Sequence, residues 1–214
     1  MKPKHLFSSA VFVLSLCGFF EGLAWADNVP ATQPADSPAM KEVRQQLLDW
    51  DKQTGKMSLE EVRKTFHTEN DREATYFDWV AHEAWEASKT ELAVREKWGP
   101  EGDAKFLHVQ GGTTVEDDQA CDINVDGNHA IASWKIEGTT PLPMIKIDGH
   151  WLVDGHATFE RLRKDDPNPE TDKHDSAALM KQARQDIDSG KFDDVDSFIA
   201  DFQKKATAAP EGGN

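Results

Sequence analysis

The period of the hydrophobic positions changes along the chain, and each change marks a new kind of element. From Ala39 the apolar residues Val43, Leu47 and Leu48 recur at helical spacing until Gly55 closes the segment. Ser58 and Glu61 stand in capping-box relation, each placed to satisfy the other's backbone donor, so a short helix is expected through Val62 and Phe66. Residues 71–98 predict the longest helix. Its N-cap falls within 68–71, acidic residues occupy its first turn, and Phe77, Ala81, Trp85, Ser88 and Leu92 form one stripe. Gly99-Pro100 is expected to end it.

Beyond Val115 the period falls to two. Cys121, Ile123 and Val125 alternate with Asp122 and Asn124, and Asp126-Gly127 reads as a two-residue turn. That register sets Ile123 opposite Ala130 and Cys121 opposite Ala132, with Trp134 and Ile136 on the same face, so Cys121 reads as a small core residue. A second hairpin over 144–156 turns at Asp148-Gly149. One face carries Ile145, Ile147 and Leu152, the other Met144, Trp151 and Val153, so both faces of this sheet are expected to be covered. A charged, proline-containing linker over 165–175 leads to two amphipathic helices, 178–187 and 195–202, split by Ser189-Gly190. These are the expected second cover, and residues from Ala206 read as a disordered tail.

The fold class that follows is α+β. N-terminal helices pack on a curved antiparallel sheet over 39–164, and a helical pair is appended over 165–205. Helices followed by a strand meander that ends on Met144 to Asp154 resemble the α+β roll of the nuclear-transport-factor-two-like superfamily. Its SnoaL-like and exported bacterial members often finish on a K-x-D-G-x-W hairpin, here Lys146 to Trp151. The resemblance spans 40–159. It departs from the family in placing a long helix where a strand is usual, and in the extra C-terminal pair. It implies a pocket bordered by the last strand and a homodimer. Members include isomerases, dehydratases, ligand binders and assembly domains, so the use of such a pocket is left open.

The first residues add a cellular address. Lys2 and Lys4 precede an apolar stretch from Leu6 to Phe20, and Ala24-Trp25-Ala26 supplies small residues where signal peptidase reads them. Cleavage after Ala26 is expected, with the mature chain periplasmic or secreted and residues 27–38 a flexible leader. Cys17 loosely fits a lipidation box, but Leu16 stands where that motif wants a small residue, so a lipoprotein is the weaker reading. The formal charge of −15 becomes −16 once Lys2, Lys4 and Glu21 leave with the signal. So acidic a surface repels nucleic acid and anionic lipid, and neither nucleic acid nor membrane insertion is expected. Only Cys121 would remain, so no disulfide staples the domain.

Few residues suggest chemistry. Asp122, Asn124 and Asp126 followed by Gly127 match the opening of a calcium loop, yet Ser133 stands where the bidentate glutamate belongs. His82 and Glu86 lie one helical turn apart, with Glu86 where a zinc hydrolase has its second histidine, and both are expected to face solvent. His150, Asp154 and His156 share one face of the last strand by parity, where a histidine–carboxylate pair could move a proton. Trp134 and Trp151 are the candidate ligand-binding aromatics. Tyr76 sits on a helix, which argues against a tyrosine oxyanion site. No phosphate loop or nucleophile elbow is present, and no cofactor is expected. The expectation is an exported, non-catalytic domain that binds a small apolar or amphipathic ligand or a protein partner. A small proton-transfer enzyme using His150, Asp154 or His156 is the alternative.

Overall fold

The computed structural model describes residues 36–136, 139–164, 166–169 and 176–208. The expected signal peptide, the leader up to residue 35, most of the 165–175 linker and the chain end from residue 209 lie outside the described residues.

Helix α1 (Pro38–Lys52) starts where Ser37 accepts from the Met40 N–H, with proline in the first turn where no N–H is needed. Its buried face is Val43 and Leu47. The capping box forms as the sequence implies and opens α2 (Leu59–Arg63), with Glu61 accepting from the Ser58 N–H at 2.7 Å. A two-residue strand, β1 (Phe66–His67), follows where helix was expected to continue to Phe66.

Helix α3 (Asp71–Gln110) is capped by Asn70 and consists of two helical segments joined across Gly99, where the first was expected to end. Gly99 ends the first segment and sets the kink. At φ 72° and ψ −172° Gly99 takes a conformation closed to other residues, and Pro100 then begins a second helical segment in the one place where its missing N–H costs nothing. Residues 115–120 were expected to begin a strand and are instead helix α4 (Val115–Ala120). Thr114 and Asp117 form a second capping box there, and Glu116, Asp117 and Asp118 all favour a helix N-terminus.

Strands β2 (Asp122–Asp126), β3 (His129–Ser133), β4 (Leu142–Ile147) and β5 (His150–Asp154) form an antiparallel meander, with β1 added parallel to β5, in the order β1-β5-β4-β3-β2. The first hairpin turns at Gly127-Asn128, one step later than expected, so Ile123 faces Ala132 and Val125 faces Ala130. That slide by two preserves parity, and each side chain stays on its expected face. Asp154 then accepts from the Ala157 N–H at 2.9 Å and caps α5 (Gly155–Leu162), so the last strand ends two residues earlier than expected. Helices α6 (Ser176–Asp188) and α7 (Val195–Ala208) follow, the latter running past Ala206.

The whole is an α+β roll. Val43 and Leu47 of α1, Tyr76, Phe77 and Val80 of α3, and Phe159 and Leu162 of α5 close over Ile123, Ala132, Met144, Trp151 and Val153 of the sheet. A second core lies along the rear of α3, where Ala87, Val94 and Phe106 meet Met180, Ile187, Phe192, Phe198 and Phe202. The C-terminal pair therefore packs on α3, and the expectation that it covers the second face of the sheet is wrong.

Candidate functional site

The three polar residues of the final hairpin do not converge. His150 is the first residue of β5, exposed at the hairpin tip opposite Ile147. Asp154 is buried and spends one oxygen on the α5 cap, while its other oxygen lies 3.5 Å from His129 Nδ1. His156 is not on a strand at all. It sits in the first turn of α5, with Nδ1 2.9 Å from Glu73 Oε1.

Glu73 is the better-built group. It is fully buried at the start of α3 and accepts from the Glu69 N–H at 2.8 Å and from Asn70 Nδ2 at 2.6 Å. Burial opposes its ionisation, but these donors and His156 outweigh burial and hold its carboxyl below the usual range. The hydrogen bond to Glu73 raises His156 in turn. The shift favours the protonated ring, which has no free lone pair with which to act as a general base, and the pair fastens α5 to the start of α3.

The other candidate sites fare no better as chemistry. Asp122, Asn124 and Asp126 lie along extended β2, and Asp122 faces Lys135 at 3.4 Å. Among the described residues no group of three or more His, Cys, Asp or Glu side chains is arranged to hold a metal ion. His82 is exposed as expected, but Glu86 is not. It is buried and paired with Arg184 of α6 at 2.8 Å, a correction to its expected solvent position. Cys121 is buried, and burial pushes its thiol up to about 11, which leaves it inert at neutral pH.

Two concave features lie among the described residues. A cavity of about 70 Å³ lies between the α1–α2 turn, α3 and β5, walled by Trp50, Met57, Val62, Phe66, Ala84 and Val153. Sites for cofactors and drug-sized ligands are roughly 300–1,000 Å³, so this one admits only very small molecules. Trp134 and Trp151 do not line it. Both are buried in the sheet core, and Trp134 Nε1 donates to Asp118 Oδ1 at 2.7 Å. Trp151 also floors an open groove of about 400 Å³, with His150 at its rim and the charged side chains Lys41, Glu42 and Asp49 of α1 along its wall.

The sheet's outer face is the larger feature. Ile131 pairs with Pro143, Ile145 stands between His129 and Leu152, and Ile147 lies across from His150. Parity puts these side chains opposite the core-facing Ala130, Ala132, Met144, Trp151 and Val153. Ile131 is 48% exposed, and it and Val115 are the two most exposed large hydrophobics among the described residues. A comparison with protein-family models, characterised proteins and solved structures finds no match to this chain. The acidic rim is β2, whose Asp122, Asn124 and Asp126 share the face with Ile131. Among the described residues no helix is long and apolar enough to cross a membrane.

Proposed function

We propose that the chain is an exported, non-catalytic binding domain that presents the outer face of its sheet to a protein, with a second copy of itself as the first partner. The observation that carries this is the apolar outer face, on which Ile131 is exposed and Pro143, Ile145, Ile147 and Leu152 are half-buried. Contiguous apolar surface of this kind marks interaction sites in proteins whose other surfaces are charged. Export rests on the N-terminal charge, apolar stretch and Ala24-Trp25-Ala26. Membership of the nuclear-transport-factor-two-like superfamily rests on the Lys146 to Trp151 hairpin and the helix-then-meander order. The small-ligand reading is weaker because the apolar cavity is so small and the roomier groove is open and lined by charged side chains, and the enzyme reading because His150, Asp154 and His156 stay apart.

Sedimentation of the wild-type chain and of Ile131→Glu is the test. A concentration-dependent dimer in the wild type, lost in the variant with its melting temperature unchanged, is the expected result. A wild type that stays monomeric at high concentration, with Ile131→Glu indistinguishable from it, removes the homodimer from the proposal.

A further inference from the structure

The carboxyl groups of Asp51 and Asp118 meet within hydrogen-bonding reach where α1 packs against α4. Asp51 lies in the last turn of α1 and Asp118 in α4. Asp118 is fully buried with the Thr113 hydroxyl beside it, and Oδ2 of each aspartate is sealed from solvent. The other Asp118 oxygen is fixed by the Trp134 indole N–H at 2.7 Å, so the side chain cannot turn away to find a partner. Two buried acceptor oxygens in contact repel unless a proton lies between them.

We propose that Asp51 and Asp118 form a proton-locked clasp, in which one shared proton ties the end of α1 to α4 and its loss on raising the pH loosens that junction. The electrostatics agree with the geometry. Burial pushes Asp51 far above the ordinary carboxyl range, reinforced by the charge and hydrogen bond of Asp118 and by Glu91, while Arg95 pulls the other way. Burial raises Asp118 too, against hydrogen bonds that include those from Asp51 and Trp134, and its neighbour Asp117 adds to the rise. Arg95 of α3, which pulls on Asp51, is already engaged by Glu91 at 2.8 Å and Asp103 at 2.7 Å, and Arg44 of α1 is engaged by Asp36 at 2.9 Å and by the backbone carbonyls of Asp118, Gln119 and Cys121. A proton is the cheapest counterion left.

The sign follows from linkage. An unfolded aspartate gives up its proton near pH 4, whereas the folded pair keeps it well above that. Between those limits the native state binds one more proton than the unfolded state, so stability falls as the pH rises. One proton changes the unfolding constant by up to about tenfold per pH unit.

Urea unfolding of the full chain from about pH 5 to about pH 9 reads this directly. Asp51→Asn and Asp118→Asn each supply a permanent amide donor to the remaining carboxylate. Either variant is expected to lose one proton's worth of the wild-type pH slope and to match or exceed wild-type stability at the alkaline end. Should one variant fail to fold, the other carries the comparison. The wild type alone gives a second readout, the infrared band of a protonated carboxylic acid at neutral pH, absent from the variants. Identical pH slopes in wild type and a folded variant, or a wild type without that band, overturn the clasp. A wild-type melting temperature that rises with added calcium or magnesium at alkaline pH, unlike that of the variants, replaces the proton by a metal ion.

Discussion

His156 and Glu73 separate two roles that a histidine near a carboxylate can take. A general base needs a neutral, reachable histidine, whereas the hydrogen bond from His156 to the Glu73 carboxylate beneath it favours the charged ring. Its side chain is 41% exposed, so solvent screens much of the attraction and the pair is worth roughly 0.5–1 kcal/mol. The histidine's folded value is raised, so this contribution is fully present below about pH 6.5 and fades as the pH climbs through that raised value. His156→Gln is therefore expected to lower the melting temperature slightly in mildly acidic buffer and not in alkaline buffer, a difference that differential scanning calorimetry at two pH values resolves. None of this was legible from parity. His150, Asp154 and His156 share a face only if the strand continues, and the aspartate in the middle ends it by capping the next helix.

At the scale of elements, local caps decided the outcome more often than hydrophobic period. Ser58 to Glu61 is legible because its signature precedes a helical pattern. Thr114 to Asp117 forms the same kind of box, but the alternation from Cys121 onward masks it by suggesting a longer strand. The hairpin faces were legible even though the turn position was not, since a slide of two residues leaves every side chain on its own side. Gly155 shows how closely these elements meet. A Cβ there would collide with the His67 carbonyl of β1 and come within 3.0 Å of the Phe77 ring. Neither neighbour can yield, because the carbonyl is backbone and the ring sits in the core. Gly155→Ala is expected to destabilise by roughly 1–3 kcal/mol through overpacking. Urea denaturation measures it, and a variant as stable as wild type would show that β1 moves freely.

The molecule as a whole is organised around α3, which serves two cores in succession. Its front half, through Tyr76, Phe77 and Val80, closes the roll, and its rear half, through Ala87, Val94 and Phe106, carries the C-terminal pair. The sequence marked the pair as amphipathic without saying what it would cover, and the bare outer face of the sheet was the obvious but mistaken answer. The true address is polar. Glu83 accepts from the Ala177 N–H at 3.0 Å and so caps α6 from outside, Glu86 pairs with Arg184, and Thr90 donates to the Met180 carbonyl at 2.9 Å. Buried acids on α3 read as solvent-facing in isolation, because their partners lie far along the chain. Truncation after Asp165 removes those partners together with Met180, Ile187, Phe192, Phe198 and Phe202, buried side chains each worth roughly 1.5–3 kcal/mol. The rear of α3, weakened already by the Gly99 kink, should then fray and expose Val94 and Phe106. The sheet keeps its own core and should hold. Amide hydrogen exchange of the full and truncated chains, read residue by residue, distinguishes the cases. Protection is expected to vanish from the α3 rear half while β3, β4 and β5 retain theirs. Equal loss across the sheet would mean that the two cores unfold as one unit and that the C-terminal pair is integral to the roll.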